Sequence, residues 1–261
     1  MKMKPILTAQ CYTVHPHIQT DEDFVKSMKK IKEIGYNVIQ LSGHTKVTPS
    51  VVTETLKEYG LKCCITHSPF SRLTDDFDGL VKEHKAWGCP VIGVGGMPGE
   101  YPQTAEGYTA FAKKANEIGN RLAEHGMKFA YHNHSHEFKR ISGETRGMDI
   151  LLDTFNENVE FVPDCYWLQY AGVNVYGWLY NLKGRASVVH YKDYRISPES
   201  GAPDFAEIGN GNMDYALITK ICEDIGAKYA AIEQDSCPGD RFDSLKISYE
   251  YCTKVLGLPT E

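Results

Sequence analysis

Short apolar segments and longer amphipathic segments alternate along the chain of 261 residues. The apolar segments carry many β-branched and aromatic residues and are bounded by turn residues, which is typical of buried strands. Most amphipathic segments end at a glycine, as at Gly35, Gly60, Gly88 and Gly126, and glycine is the usual residue just past a helix. Strand and helix repeated in this order predict an α/β fold with a parallel sheet.

Eight such strand–helix units can be counted. The predicted strands are 6–11, 37–41, 61–66, 90–94, 127–131, 159–162, 186–189 and 229–232. The predicted helices are 20–34, 48–59, 73–87, 104–125, 148–155, 174–182, 214–225 and 243–256. Eight units in this length predict a single (β/α)8 TIM barrel, with one domain over 1–261 because no linker divides the chain. An open doubly wound sheet is disfavoured, because no G-x-G-x-x-G follows the first strand.

Composition excludes several classes of function. The net charge is −6, so the chain lacks the basic surface expected of a nucleic-acid-binding protein. The apolar runs are too short to span a membrane, and no signal peptide is evident at the N-terminus. The eight cysteines form no C-x-x-C pair, which favours a reducing, cytoplasmic location.

The most unusual stretch is 131–138, Tyr-His-Asn-His-Ser-His-Glu-Phe. Imidazole is the commonest side-chain metal ligand and the usual proton carrier near neutral pH. If the preceding strand continued, His132, His134 and His136 would face one way. The alternative is a solvated histidine-rich turn, and this stretch does not decide between the two.

Ionisable and polar residues stand at the C-terminal ends of the predicted strands, where a (β/α)8 barrel places its active site. They are Gln10, Gln40, His67, His132 with His134, Asp164, His190 with Lys192 and Asp193, and Glu233 with Gln234. Mixed imidazole and carboxylate ligands suit one divalent ion such as Mn, Zn, Co or Fe. Such an ion polarises a carbonyl and acidifies the neighbouring C–H. Trp167 lies just after Asp164 and is expected either to stack on a sugar or to pack the rim.

Six segments resemble the xylose-isomerase-like barrels, the sugar phosphate isomerase/epimerase superfamily that includes inosose dehydratases and endonuclease-IV-like enzymes. The resemblance covers almost the whole chain. The segments are 35–41 (Gly-Tyr-Asn-Val-Ile-Gln-Leu), 67–69 (His-Ser-Pro), 131–134 (Tyr-His-Asn-His), Pro163-Asp164, 189–193 (Val-His-Tyr-Lys-Asp) and 232–235 (Ile-Glu-Gln-Asp).

The resemblance implies roles for several residues in these segments. It implies that Asp164, His190 and Glu233 hold the metal, while His132 stands where many relatives carry a Glu. His132 could still be the fourth ligand, although it cannot be a carboxylate base. Glu233 is then the expected general base, with His67 and Lys192 as further catalytic residues. The expected substrate-binding residues are Gln40, His134, Trp167 and Glu137, the last being either a second carboxylate or a loop residue.

These observations favour a divalent-metal-dependent isomerase or epimerase acting on a sugar, keto-sugar or sugar phosphate. A metal-dependent lyase or dehydratase on a keto-polyol or keto-glycoside, similar to inosose dehydratase, is the alternative. An abasic-site endonuclease is disfavoured by the net charge, and a non-catalytic sugar-binding barrel stays open. The partner expected is a small carbohydrate, with no nucleic acid and no membrane; a homodimer is the oligomeric state to test. His15, His17, His84 and His125 are interpreted as surface residues.

Overall fold

Eight parallel strands form one curled sheet in the computed structural model, which describes residues 3–261. The strands are β1 Ile6–Gln10, β2 Val38–Leu41, β3 Lys62–His67, β4 Val91–Val94, β5 Lys128–His132, β6 Val159–Val162, β7 Val188–Tyr191 and β8 Tyr229–Ile232. Their order in the sheet is β6-β5-β4-β3-β2-β1-β8-β7. A parallel bridge between Asp164 and His190 joins the two ends of this order. The prediction of a single (β/α)8 barrel is confirmed.

Helices surround the barrel. They are α1 Asp21–Ile34, α2 Pro49–Tyr59, α3 Phe70–Asp75, α4 Phe77–Trp87, α5 Ala105–Ala123, α6 Gly147–Thr154, α7 Cys165–Tyr170, α8 Val175–Asn181, α9 Tyr215–Ile225 and α10 Arg241–Lys254. The single helix predicted over 73–87 is wrong, because the chain breaks at Asp76, whose backbone lies outside the helical region. The carboxylate of Asp76 pairs with Arg72 of α3 at this break.

Additional short elements follow the C-terminal ends of the strands and build the rim of the barrel. A 3₁₀ segment, Cys11–His17, follows β1, and α7 follows β6. A two-stranded hairpin, Asp193–Ile196 with Pro203–Ala206, follows β7. The sequence pattern did not predict these elements, because each is too short for a periodic signal.

The interior of the barrel is layered by the two-residue period of the strands. A small apolar cluster contains Val38, Ile65, Ala130, Val162, Val188 and Ala231. The residues two positions further on are Gln40, His67, His132, Asp164, His190 and Glu233. Because residues i and i+2 face the same side of a strand, one apolar layer supports one polar layer at the C-terminal mouth.

His84 contradicts the prediction of a surface residue. It lies on α4, is fully buried, and has Nε2 2.7 Å from Thr66 Oγ1 and Nδ1 2.8 Å from the Leu80 carbonyl oxygen. Burial lowers the pKa of His84 to about 4, so the imidazole is neutral at pH 7. His84 therefore stabilises the packing of α4 against β3.

Candidate metal centre at the barrel mouth

Four buried side chains converge where β5, β6, β7 and β8 end. His132 is the last residue of β5, His190 lies within β7, and Asp164 and Glu233 follow β6 and β8 directly or nearly so. Each offers one ligand atom, and these four atoms all lie within 4.8 Å of one another. The four residues expected to hold a metal are therefore brought together by the fold.

The imidazole of His190 faces two carboxylates with one nitrogen. Its Nε2 lies 2.9 Å from the side-chain oxygen of Gln40, which can only accept, so Nε2 carries a proton. Its Nδ1 lies 2.8 Å from Glu233 Oε2 and 3.6 Å from Asp164 Oδ2, yet it makes no hydrogen bond of adequate geometry. In the neutral ring Nδ1 therefore presents a lone pair to two negative groups.

His132 has the same arrangement. Its Nδ1 lies 3.2 Å from the backbone carbonyl oxygen of Gly95, which again can only accept a proton. Its Nε2 lies 3.2 Å from Asp164 Oδ2. Metal-ligating histidines usually donate the other ring N–H to a carbonyl or carboxylate, which sets the tautomer and aims the lone pair. Both imidazoles fit that pattern.

Lone pairs and carboxylates that face one another repel unless a positive charge lies among them. A proton on His190 can supply that charge: burial lowers the pKa of His190, but Glu233 and Asp164 outweigh it and raise the pKa to about 9. A divalent ion can supply the same charge. The donor set, two imidazoles and two carboxylates, suits a borderline transition-metal ion or zinc, so these residues fit the implied metal.

Both carboxylates are held ionised and oriented. Burial would raise their pKa values, but Lys192 and the histidines hold the pKa of Asp164 and of Glu233 well below the usual range. The backbone N–H of Trp167 donates to Asp164 Oδ1, because Asp164 is also the N-cap of α7. The side-chain amide of Gln10 donates to Glu233 Oε1 at 2.9 Å.

Lys192 provides a fixed positive charge beside the four candidate ligands. Its Nζ lies 3.6 Å from Asp164 Oδ2, 3.4 Å from Glu233 Oε2 and 2.7 Å from Asp235 Oδ1. Burial lowers the pKa of Lys192, but these carboxylates outweigh it and keep the pKa above the usual value. Asp235 was not predicted as a site residue, although its position two residues after Glu233 was a signal.

His67 borders the same centre from β3. Its ring centroid lies 5.2 Å from that of His132 and 5.5 Å from that of His190. Burial, together with the neighbouring histidines, lowers the pKa of His67 well below the usual value, so the ring is neutral. Its Nε2 is buried and has no hydrogen-bond partner within residues 3–261.

The histidine-rich stretch does not continue as a strand, since β5 ends at His132. His134 and His136 group instead with Glu137, in a cluster separate from the four candidate ligands. Glu137 is fully buried: its Oε1 accepts from the Tyr131 hydroxyl at 2.6 Å and its Oε2 from the His134 N–H at 2.9 Å. Glu137, predicted as either a second carboxylate or a loop residue, thus uses both of its oxygens to bind groups of its own loop.

His134 does border the centre. Its ring lies 4.8 Å from that of His132 and 5.3 Å from that of Trp167. Burial, then the field of His132, lowers the pKa of His134 to about 3. The Nδ1 of His134 and the Nε1 of Trp167 are buried and have no partner in the described part of the chain. Two polar atoms therefore remain available beside the cluster.

An aromatic wall lines one side of Lys192. The ring centroids of Trp167 and Phe205 lie 5.3 and 5.2 Å from its Nζ, and Phe205 stacks on Tyr166 at 4.3 Å. Phe205 belongs to the hairpin after β7. A flat aromatic surface beside polar groups is the usual environment for a sugar ring, which pairs apolar C–H faces with hydroxyls.

Asp193 holds this hairpin and was not assigned a role by the sequence pattern. It is fully buried, and its carboxylate accepts the backbone N–H groups of Tyr194, Gly209, Gly211 and Met213 at 2.8 to 3.3 Å. A Cβ at Gly211 would overlap the Asp193 carboxylate. One buried side chain thus organises the whole segment after β7.

Comparisons with known proteins give the same fold. A solved sugar phosphate isomerase/epimerase from Parabacteroides distasonis superposes with a TM-score of 0.77 at 19% identity, covering 98% of this chain and 95% of that one. An L-ribulose 3-epimerase gives 0.73 at 13% identity, covering 97% and 95%. A probable 3-DHS dehydratase of petrobactin synthesis from Bacillus anthracis gives 0.72 at 14%, covering 95% and 98%.

These identities establish a shared fold and no shared reaction. No curated protein matches the sequence significantly. None of the helices formed by residues 3–261 is long and apolar enough to cross a membrane. The sequence profile described as xylose isomerase-like TIM barrel matches residues 28–245, which is most of the chain. The protein belongs to the xylose isomerase-like TIM barrel family.

Proposed function

We propose that the protein is a divalent-metal-dependent isomerase or epimerase acting on a sugar, keto-sugar or sugar phosphate. The observation that carries the proposal is the convergence of His132, Asp164, His190 and Glu233, with both imidazole lone pairs aimed inward. These four residues would hold one ion of Mn, Zn, Co or Fe. When bound, the ion would polarise the substrate carbonyl and acidify the adjacent C–H.

Glu233 is the proposed base. Its lowered pKa keeps it ionised, and Gln10 on Oε1 with Lys192 near Oε2 fixes the direction of its lone pairs. The carboxylate removes the proton next to the carbonyl, and the charged Lys192 stabilises the negative charge that develops on oxygen. His67 is neutral and has an unpartnered Nε2, so it can exchange a proton with a substrate hydroxyl.

The proposed substrate contacts surround this machinery. The aromatic face of Trp167 accepts the C–H side of the sugar, and its Nε1 donates to a hydroxyl. His134 Nδ1 and the unpartnered Nε2 of Gln40 offer two more polar contacts. Gln40 also positions His190, so its substitution would affect the metal as well as the substrate.

A metal-dependent lyase or dehydratase acting on a keto-polyol or keto-glycoside, in the manner of inosose dehydratase, is the second candidate. One observation favours it: Glu233 is a suitable base on one face of the substrate, while β5 supplies His132 and Glu137 is engaged by Tyr131. Epimerisation with a carboxylate on each face therefore lacks its second carboxylate. Elimination needs one base and one acid, and the charged Lys192 can protonate the departing hydroxyl.

The test begins with metal content. Purified protein is expected to hold about one divalent ion per chain, and Asp164→Asn and His190→Ala should lose the ion together with activity. His125→Ala, a substitution of an exposed histidine, is the control and should retain both. Full metal occupancy in Asp164→Asn and His190→Ala would refute the proposed centre.

The reaction is then identified in deuterated water with a panel of keto-sugars, sugar phosphates and keto-polyols. Glu233→Gln should abolish exchange of the proton next to the carbonyl. Incorporation of one deuteron with the carbon skeleton intact indicates an isomerase or epimerase, and formation of an unsaturated product indicates a lyase. A Glu233→Gln variant that still exchanges this proton would rule out Glu233 as the base.

A further inference from the structure

A cavity of about 220 Å³ lies at the rim, between the N-terminus of α5 and the loop that follows β5. Its polar wall is made by Gln103, Thr104, Tyr108, His136, Lys139 and Arg140. The proposed function does not use this cavity. Within residues 3–261, no Asp or Glu contributes to its wall, which contains two permanent cations, Lys139 and Arg140, beside neutral polar groups and the apolar Ile141.

The electrostatics of the wall favour an anion. Lys139 and Arg140 are consecutive and exposed, so both can turn towards an occupant. Thr104 is the N-cap of α5, a helix of 19 residues, and a helix N-terminus carries a partial positive charge and free N–H groups. Arg140 pairs with Glu144 at 2.8 Å, but both side chains are mostly exposed, so this ion pair is weak.

Tyr108 is an independent indication that the cavity has an occupant. The residue is 1% exposed, and its hydroxyl has no hydrogen-bond partner among the described residues. A Cβ at Gly147 would overlap the Tyr108 ring, so α6 packs closely on this ring and holds it in place. Buried hydroxyls are nearly always hydrogen-bonded, and burial together with Glu137 raises the pKa of Tyr108, so it remains a donor.

The nearest buried carboxylate does not fill this role. Glu137 has its oxygens on the Tyr131 hydroxyl and on the His134 N–H, and it also lies 3.4 Å from His136 Nε2. It therefore orients the loop that carries His136 and Lys139. Of the polar groups in the cavity wall, the Tyr108 hydroxyl is the one that is buried without an acceptor in the described part of the chain.

We propose that this cavity is a site that binds a phosphate dianion. The proposal rests on the proposed function only for the source of the phosphate. Its position suits the phosphate of a sugar phosphate. The ring of His136 lines the cavity and lies 5.8 Å from that of His134, which lies 4.8 Å from the metal-ligand candidate His132. The stretch 132–136 thus connects the proposed metal centre to the phosphate site.

Binding is tested with inorganic phosphate on the full chain after chelation, so that no metal ion can bind the probe. Titration calorimetry should give saturable binding with one phosphate per chain. Lys139→Ala and Arg140→Ala should each weaken it about tenfold, since each removes a charge-assisted hydrogen bond. Lys46→Ala removes the same charge from an exposed loop after β2 and should leave binding unchanged. Absent binding, or equal binding by all variants, would overturn the proposal.

Tyr108→Phe separates binding from folding. The hydroxyl has no partner in the free protein, so its removal should leave the melting temperature unchanged while weakening phosphate binding several-fold. A lower melting temperature with unchanged phosphate binding would assign Tyr108 to packing and contradict the site.

Kinetics identify the source of the phosphate. If the substrate provides it, Lys139→Ala should lower kcat/KM for phosphorylated sugars and leave that for unphosphorylated sugars unchanged. If free phosphate is the occupant, the variant should change the response to added phosphate equally for both kinds of substrate. Failure of the metal test with intact phosphate binding would remove the proposed reaction and leave the phosphate site standing.

Discussion

Metal uptake at neutral pH should release a proton from His190. In the absence of a metal ion, the Nδ1 of His190 faces Glu233 and Asp164, and these carboxylates raise its pKa to about 9. A metal ion that binds the same Nδ1 needs the lone pair, so it must displace this proton. Glu233 and Asp164 have lowered pKa values, so they are already ionised and release none.

The size of the effect follows from the pKa. At pH 7.5 a group with a pKa of about 9 is almost fully protonated, so we expect close to one proton released per ion. The affinity for the metal ion should rise with pH, because the competing proton on His190 is lost as the pH approaches 9. Between pH 7 and 8 the apparent dissociation constant should fall about tenfold, which is about 1.4 kcal/mol.

Calorimetry measures this directly. The chelated protein is titrated with Mn²⁺ at pH 7.5 in several buffers that differ in ionisation enthalpy, and the dependence of the observed enthalpy on that quantity counts the protons. His134→Ala is the matched control: His134 is a neighbouring histidine with a pKa of about 3, so its removal should leave the count unchanged. Tight Mn²⁺ binding with no proton release and no dependence on pH would refute the assignment of His190 as a ligand through Nδ1.

Three further outcomes are expected. Gln40→Leu should lower metal affinity 10- to 100-fold, because it removes the acceptor that sets the tautomer of His190; equal affinity in equilibrium dialysis would contradict this role. The pKa of His84 is lowered from 6.5 to about 4, so the unfolded state binds the extra proton and stability falls as pH drops below 6.5. In urea unfolding of the wild type, His84 should lower the free energy of unfolding by about 2 kcal/mol at pH 5 relative to pH 7. His84→Gln should not show this loss. Asp193→Ala should lower the free energy of unfolding by about 2–3 kcal/mol, because it leaves N–H groups of the segment after β7 unpaired. Limited proteolysis should then cleave that segment, and an unchanged melting temperature would contradict this role of Asp193.

Much of the site was predictable because strand ends in a parallel barrel meet at one mouth. His132, Asp164, His190 and Glu233 are far apart in sequence, yet each stands at the end of an apolar strand, and that rule places them together. The histidine-rich stretch was harder to interpret. Its alternation suggested one face, but β5 ends at His132, so His134 and His136 follow a loop and meet Glu137 instead.

Other features depended on contacts that no local pattern encodes. His84 was predicted from the sequence to be an exposed helix residue, but in the structure its ring nitrogens contact Thr66 and the Leu80 carbonyl oxygen. In the sequence Glu137 is a carboxylate in a loop, and the structure shows that the Tyr131 hydroxyl and the His134 N–H bind its two oxygens. For His84 the deciding partner, Thr66, belongs to β3. For Glu137 the partners are only six and three residues away, and the fold of the loop brings them to the buried carboxylate.

The period of apolar residues and the helix boundaries in the sequence were sufficient to predict the fold and the polar layer that carries the candidate ligands, because alternation along a strand is a local property. The protonation and orientation of His190 and His132 could not be predicted in this way. Their hydrogen-bond partners come from elsewhere in the chain: Gln40 from β2 and the carbonyl of Gly95 from the turn after β4. The structure of the barrel rim could not be predicted from the sequence for the same reason. The cavity beside α5 exists only where that helix, the loop after β5 and α6 pack together, and long-range packing of this kind leaves no periodic trace in the chain.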